Sequence, residues 1–409
     1  MNCLSQAQSG LSSWPLLCEI GRIAANRGEH VALVGGLVRD LLLEVPLGHD
    51  IDLAVEGDAI GLSKAWQKTR GGELLAHRNF QNATWKNETL EIDFVRARQE
   101  TYPGIAQLPE VSPGTLTQDL QRRDFRINAL AISLHPDHLG NLIDPTGGIE
   151  DITHRRLNVL HPQSFVDDPT RAFRAVRYAA RLDLEIGDET MFAVDHMLEN
   201  NALSALTPER LGLELERIFR EESAPLALEC ASGLGLFDHL PMDPISLFTG
   251  SEELSYVAQT WQGEPIEKVD LLWLLLSSTL EKPEEWARLV PGGGRRAKLF
   301  QHGVQEVRKT LQKLIDSPDD PGLHGESLCR LPPALRAYAA YLDPDNTALQ
   351  WWEDKGQHIA AGVTSQDLLD AGLQPGTAFG EALRRAKQAA WRGANTDEQL
   401  AAALANNAL

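Results

Sequence analysis

The chain has 409 residues, 43% of them hydrophobic, a formal net charge of −20 and four cysteines, at positions 3, 18, 230 and 329. That length exceeds the roughly 250–300 residues at which a single core stops growing, so two or more compact units are expected. The longest apolar run, Leu271 to Leu276, is far shorter than the ~20 residues of a membrane span, and the N-terminus lacks the basic-then-apolar pattern of a secretory signal. The acidic balance argues against broad adhesion to nucleic acid, and the cysteine spacing fits neither a zinc site nor a disulfide framework, which points to a reducing, cytoplasmic setting.

In chain order, Val31 to Val34 reads as a strand that runs into the glycine pair Gly35-Gly36 and a helix over Val38 to Leu43. Ile51 to Val55 is a second strand, and Asp58 is placed to cap the helix after it. Strands around Thr84 and over Leu90 to Val95 follow, and the Asn128 to Leu134 segment supplies another. The stretch from Gln99 to Gln118, holding Pro103, Gly104, Pro109, Pro113 and Gly114, reads as a flexible insertion. Beyond Ser164 the pattern is helical. Pro169 suits the first turn of a helix through Ala172 to Ala180, and Thr207 and Pro208 open another with Leu211, Leu215 and Ile218 as its core stripe. Pro, Gly, Asp and Ser collect around residues 240–265 and 316–333, as in joints between subdomains, and a capped helix from Gly362, a turn over Gly372 to Gly376 and a helix ending at Gly393 close the chain.

Chemistry concentrates in the first half. A glycine pair leaving an apolar strand lets backbone N–H groups approach a polyphosphate. In Asp50-Ile51-Asp52-Leu53 the strand period puts both carboxylates on one face and the apolar pair on the other. Two carboxylates so close require a cation between them, and oxygen ligands combined with substrate phosphates suit Mg²⁺. Thr89-Leu90-Glu91-Ile92-Asp93-Phe94 offers Glu91 or Asp93 as a third acid. An isolated Asp-x-Asp is more often a solvated strand face. Here the glycine pair, the two acids and the second acidic strand follow one another in order.

Further motifs continue the series: Arg122-Arg123-Asp124-Phe125 with Ile127-Asn128-Ala129, then Asp144-Pro145-Thr146-Gly147-Gly148, then Asp167-Asp168-Pro169-Thr170-Arg171 with Arg174, Arg177 and Tyr178. Together they resemble the class II tRNA nucleotidyltransferases, the bacterial CCA-adding enzymes with their A-adding, CC-adding and poly(A) polymerase relatives. The resemblance covers about the first 220 residues and, more loosely, the C-terminal tail. It implies an α+β fold: a nucleotidyltransferase head of five or so strands over residues 1–150, a helical neck over 151–220 that recognises the nucleobase, a helical body over 221–340, and a tRNA-binding tail over 341–409.

The same resemblance implies two Mg²⁺ ions, with Asp50 and Asp52 on both and Asp93 rather than Glu91 on the one that activates the RNA 3′ hydroxyl. Gly35 and Gly36 would cradle the triphosphate, Arg39 would add a cation or brace the loop, and the carboxylates, acting as ligands, need no elevated pKa. Asp124 would take the ribose 2′ hydroxyl and Arg123 phosphate or sugar, although the tripeptide alone is better explained by an internal ion pair capping a helix. Asp168 and Arg171, three residues apart on a first helical turn, would present an acceptor beside a donor fork to a base edge. Asp167 stands where Glu is commoner in the family. Arg174 and Arg177 either face phosphate or tRNA, or pair with acids such as Glu214 and Glu216. His49, just before the paired acids, reads as an ordinary loop histidine.

Arg295, Arg296 and Lys298, continuing to Arg308, Lys309 and Lys313, offer a basic surface for the tRNA backbone or simply a solvated helix face. The expected substrates are the tRNA 3′ end with ATP and CTP, with no role for DNA or membrane, and the product is a full C-C-A end or its terminal A. The alternatives are a poly(A) polymerase, a small-molecule nucleotidyltransferase and a non-catalytic RNA-binding protein. No His…His-Asp phosphohydrolase pattern is seen in the helical half.

Overall fold

A computed structural model describes residues 10–47, 50–238, 244–261, 265–280 and 288–405. His49 and Cys3 lie outside the described residues. The chain divides into two compact units, one up to Thr207 and one from Pro208 onward. Among the described residues, no helix is long and apolar enough to cross a membrane.

The N-terminal unit begins with helix α1 (Trp14–Asn26) and strand β1 (His30–Val34), and continues with α2 (Gly36–Leu43), β2 (Asp50–Glu56) and α3 (Ala59–Arg70). Asp58 caps α3 by accepting the Gly61 N–H at 2.9 Å, as its position before the helix leads one to expect. Strands β3 (Glu73–His77), β4 (Asn82–Lys86) and β5 (Glu91–Arg96) precede a hairpin of β6 (Arg98–Thr101) and β7 (Glu110–Pro113). The segment read as a loop over 99–118 therefore carries this hairpin and the start of helix α4 (Leu116–Gln121), which Thr115 and Gln118 close with a reciprocal capping box.

Strands β8 (Ala131–Ser133) and β9 (Leu142–Ile143) complete a mixed sheet in the order β3-β4-β5-β2-β1-β8-β9. The sheet has seven strands where five or so were expected: β3 and β9 were missed, because β3 is an edge strand with a weak alternation and β9 has only two residues. Residues Arg126–Asn128 form a 3₁₀ turn rather than the start of β8. All neighbours are antiparallel except β2 and β5, which run parallel with Asp50 opposite Glu91 and Asp52 opposite Asp93.

The period-2 pattern decides what each face buries. Leu33, Ile51, Leu53, Val55, Ile92 and Phe94 join Leu17, Ile20, Leu62 and Trp66 of α1 and α3 in the larger core cluster. Ala32, Val34 and Ala54 turn to the other face and pack with Leu120, Ala129 and Ala131. Asp52 sits opposite Val34 in the β1–β2 register and shares that second face.

Helices α5 (Gly148–Thr153), α6 (Ser164–Asp167), α7 (Thr170–Leu182) and α8 (Asp188–Glu199) finish the unit, with a short parallel pair, β10 (Arg156–Leu157) and β11 (Glu185–Ile186). Asp144 is a helix cap. One carboxylate oxygen accepts the Thr146, Gly147 and Gly148 N–H groups at 2.8–3.2 Å and the other the Ile149 N–H at 3.0 Å, so this glycine motif anchors α5.

The described part of the C-terminal unit is helical. Its first helix, Pro208–Arg220, buries Leu211, Leu215 and Ile218 as the spacing predicts. The 23-residue helix Gly294–Asp316 turns Leu311 and Leu314 inward, and near the end Thr364 caps Ser365–Asp370 while Thr377–Trp391 runs to Gly393. Val363, Leu368, Ala382, Ala386 and Ala403 form a separate small core there. Cys18, Cys230 and Cys329 are free thiols.

Candidate active site

Gly35 ends β1 in a conformation (φ 80°, ψ −145°) that side chains rarely adopt, and it opens α2. A Cβ at Gly35 would lie 3.2 Å from Asp52 Oδ2 and 3.4 Å from Arg123 Nη1. The glycine turn, the second acid of the Asp-x-Asp pair and an arginine of the next motif thus meet at one point. On the other side of Asp52, the parallel register places Asp93, whose Oδ1 accepts the Thr84 hydroxyl at 2.5 Å. Asp50 is exposed on the same strand face, opposite Glu91. Of the two candidates for the third acid, Asp93 is the neighbour of Asp52 and Glu91 the neighbour of Asp50.

Burial pushes the Asp52 carboxyl above the usual carboxylate range, and the charges of Asp93 and Asp50 push the same way while Arg123 opposes them. A metal ligand needs no such elevation; it arises because burial and the crowded acidic neighbours outweigh the Arg123 cation. A divalent cation relieves that crowding, and the donors present are the hard oxygens Mg²⁺ prefers. Among the described residues, no group of three or more His, Cys, Asp or Glu side chains is by itself arranged to hold a metal ion. Asp52 and Asp93, with Asp50 at the rim, instead fit an ion that takes its remaining ligands from water and phosphate.

Arg39 is 3% exposed and braces the site. It donates to Asn128 Oδ1 at 2.7 Å and to Asp40 Oδ1 at 2.8 Å, and its guanidinium lies 5.2 Å from the Tyr178 ring centroid. The two arginines of the Arg-Arg-Asp motif find their acid upstream rather than beside them. Asp119, 1% exposed on α4, accepts from Arg122 at 2.7 and 3.1 Å and from Arg123 at 3.1 Å. The i+3 and i+4 spacing from Asp119 to Arg122 and Arg123 is the signal that sequence reasoning passed over.

Asp124 is 9% exposed and its acceptor sites are filled. Oδ1 takes the Phe125 N–H at 2.9 Å and the Asn128 amide at 3.0 Å, and Oδ2 takes Arg174 Nε and Nη2 at 2.9 and 2.6 Å. Burial would raise this carboxyl, but the Arg174 cation and the Asn128 hydrogen bond outweigh it and hold it below the ordinary range. Arg174 therefore has an acid, Asp124, inside the N-terminal unit. Arg177, 8% exposed, stacks on Tyr178 with 4.7 Å to the ring centroid, and Arg174 and Arg181 flank the same ring.

Asp168 and Arg171 do not share a first helical turn. Asp168 is extended (φ −142°, ψ 94°) between α6 and α7, and its Oδ1 accepts the Thr170 N–H and hydroxyl at 3.1 and 2.6 Å, while α7 begins only at Thr170 after Pro169. Pro169 removes a donor and favours an extended residue before it, which ends α6 at Asp167. Arg171 is 6% exposed and donates to Ser164 Oγ and Tyr102 OH, each at 2.9 Å, and to the Arg122 carbonyl at 3.3 Å. Tyr102, from the 99–118 segment, in turn donates to Glu100 Oε2 at 3.2 Å, and burial pushes its hydroxyl up to about 12. A cavity of about 400 Å³ opens beside them, lined by Glu100, Tyr102, Arg122, His161 and Asp167.

Of the six basic residues picked out in the C-terminal unit, Arg296 is a structural cation. It binds Asp270 at 2.9 Å and Glu216 at 3.1 Å. Arg295, Lys298, Arg308, Lys309 and Lys313 are exposed along the Gly294–Asp316 helix.

Residues 31–158 match the Poly A polymerase head domain. An A-adding tRNA nucleotidyltransferase of Halalkalibacterium halodurans is 33% identical over 376 residues, covering 90% of this chain and 86% of the relative. A CC-adding tRNA nucleotidyltransferase of Deinococcus radiodurans is 41% identical over 218 residues, 53% of this chain and 56% of that one, and of a longer A-adding relative from Geobacter sulfurreducens the chain spans 46% at 31% identity. Among solved structures, a CCA-adding enzyme in an apo form superposes with a TM-score of 0.83 at 25% identity, covering 98% of this chain and 97% of the other. A Thermotoga maritima CCA-adding enzyme complexed with tRNA superposes with a TM-score of 0.78 at 25% identity, covering 100% and 99%. By its motifs, its head fold and a relative matched over nine-tenths of its length, this chain belongs to the tRNA nucleotidyltransferases, enzymes that share their head domain with poly(A) polymerases.

Proposed function

We propose that the chain extends the 3′ end of tRNA without a template, adding the terminal adenosine from ATP to an acceptor ending in C-C and releasing pyrophosphate. The observation that carries the reading is the pairing of Asp52 with Asp93 across β2 and β5, with Gly35 and Arg123 against the same carboxylate. Adenosine is favoured because the relative matched across 90% of the chain is A-adding. Addition of the whole C-C-A end from CTP and ATP is the second reading, supported by the CCA-adding enzymes that superpose over nearly the full length.

Asp50, Asp52 and Asp93 would hold two Mg²⁺ ions, which when bound lower the pKa of an attacking hydroxyl and neutralise a leaving pyrophosphate. Around them the chain supplies position. The N–H groups at Gly35 and Gly36 and the Arg123 guanidinium face the triphosphate, and Arg39 holds the glycine turn against Asn128. Asp124 accepts the ribose 2′ hydroxyl in exchange for one Arg174 N–H, since its four acceptor sites are otherwise taken. Asp168 and Arg171 read the base edge, with Arg177 on the same helix as Arg171. Neck, body and tail divide at 151–220, 221–340 and 341–409, with Arg295, Lys298, Arg308, Lys309 and Lys313 meeting the tRNA backbone. The free thiols at Cys18, Cys230 and Cys329 suit a reducing cytoplasm.

The test is incorporation into tRNA acceptors that end before the first C, after C-C, or with C-C-A, each given CTP, ATP or both. Extension of the C-C acceptor alone, and with ATP alone, is expected. Extension of both shorter acceptors moves the assignment to full C-C-A addition, long A tails on any RNA end move it to poly(A) synthesis, and no extension of any acceptor overturns it.

A further inference from the structure

We propose that Asn128 is a positioning residue that couples ribose recognition to the triphosphate loop. Its side chain is 6% exposed and both ends of its amide are committed. Oδ1 accepts from Arg39 Nη1 at 2.7 Å and Nδ2 donates to Asp124 Oδ1 at 3.0 Å, while its backbone carbonyl accepts Arg123 Nη1 at 3.3 Å. One residue thus touches the arginine beneath the glycine turn, the carboxylate assigned to the sugar and the arginine that lies against Gly35 and Asp52. The inference rests on the reading of Asp124 as the group that meets the 2′ hydroxyl.

A carboxamide satisfies both neighbours at once. An arginine demands an acceptor and a carboxylate demands a donor, so the amide orientation is forced; a carboxylate at 128 leaves Asp124 unmatched and a methyl leaves both unmatched. The four donors to Asp124 also fall into two kinds. Phe125 N–H and the Asn128 amide come from the same short turn and hold Oδ1, whereas both donors to Oδ2 come from Arg174 on α7. By keeping Oδ1 occupied, Asn128 leaves Oδ2 as the oxygen at which a ribose hydroxyl can replace an arginine N–H. Through Oδ1 of its own amide it holds Arg39, and with it α2, in the position that goes with a correctly oriented Asp124.

The experiment compares kcat and KM for ATP and dATP, with C-C-ended tRNA, in the full-length wild type, Asn128→Asp and Asp124→Asn, with thermal melts to establish folding. Asn128→Asp keeps an acceptor for Arg39 but faces Asp124 with oxygen instead of N–H. The preference for ATP over dATP is expected to fall about 10-fold, the scale of a hydrogen bond to a charged group, with the loss in the KM for ATP and the KM for dATP little changed. Asn128→Ala, which also releases Arg39, is expected to lower kcat for both nucleotides in addition. If Asn128→Asp does not fold, Asn128→Ser, which cannot span both partners, carries the same comparison. Equal losses for ATP and dATP, or a wild-type preference, overturn the proposal provided that Asp124→Asn has lost the preference. If Asp124→Asn keeps it, the failure belongs to the sugar reading and the coupling falls with it.

Discussion

Two arginine–carboxylate pairs, one in each unit, are nearly the same object. Arg174 with Asp124 and Arg296 with Glu216 expose 29% and 10%, and 28% and 10%, of their side chains, and each guanidinium lies about 5.5 Å from an aromatic centroid, Tyr178 or Phe300. Both acids are held below their ordinary range against the opposing effect of burial. What separates them is the next neighbour. Asp124 leads through Asn128 to Arg39 and the glycine turn, whereas Glu216 is enclosed by Trp273 Nε1, Arg220 and the Asp270 that shares Arg296. One pair lies two side chains, Asn128 and Arg39, from the backbone of the glycine turn, and the other is a joint between helices. The chemistry of a pair does not reveal its purpose; its connections do.

The comparison breaks most sharply if substitutions in the two networks fail to move opposite quantities. Asp52→Asn or Asp93→Asn is expected to abolish nucleotide incorporation while tRNA binding persists in a filter or anisotropy assay. Because burial and the neighbouring acids raise the Asp52 carboxyl, its ionised form burdens the metal-free fold above that pKa, so Asp52→Asn is also expected to raise the metal-free melting temperature at neutral pH. The gain should vanish in acid, where wild-type Asp52 is already protonated. Loss of both activity and stability would place Asp52 with the structural joint.

Glu216→Ala should do the reverse. Removing a carboxylate that satisfies Trp273, Arg220 and Arg296 is expected to destabilise by about 1–3 kcal/mol, and a calorimetric scan should register roughly 2–4 °C per kcal/mol for a unit of this size. Glu216 is held below its ordinary range, so its contribution is present above the unfolded-state value of about 4.3 and is lost as pH falls through the folded value, where wild type and variant should converge.

A smaller effect is expected at Tyr102. Tyr102→Phe deletes the acceptor for Arg171 Nη2 and the donor to Glu100, and should reduce discrimination between ATP and CTP by roughly 10-fold, the low end for a hydrogen bond to a charged group, with little change in melting temperature. The smallest belongs to the exposed basic helix. Lys309→Glu should weaken tRNA binding modestly and lower the slope of log affinity against log salt by about 1, whereas Arg296→Gln should act on stability first.

How much of this was legible differs from residue to residue. Asp50, Asp52 and Asp93 were readable because strand period 2 is set by local backbone geometry and because their motifs stand in order. The Asp58 and Thr364 caps and the Leu211, Leu215, Ile218 stripe were readable for the same local reason. Asp168 and Arg171 were misplaced by less than a turn, since whether a Pro169-led segment is one helix or two depends on what its flanks pack against. Asn128 entered only as part of a motif, and Asp119 and Tyr102 were assigned no role, yet Asn128 and Tyr102 satisfy the buried Arg39 and Arg171, and Asp119 satisfies the half-buried Arg122 and Arg123.

By itself the sequence determined the periodic elements, the order of the motifs and the face on which each strand acid lies, all consequences of dihedral geometry and spacing along a few residues. The tertiary structure alone decided that Asp93 sits beside Asp52, that Asp124 is already saturated by Arg174 and Asn128, and that Arg296 is a joint while its neighbour Arg295 is exposed. Those outcomes depend on which distant segments share a low-dielectric interior, where every buried donor must meet an acceptor, and partners separated by as many as 89 residues, as Arg39 and Asn128 are, leave no trace in local spacing.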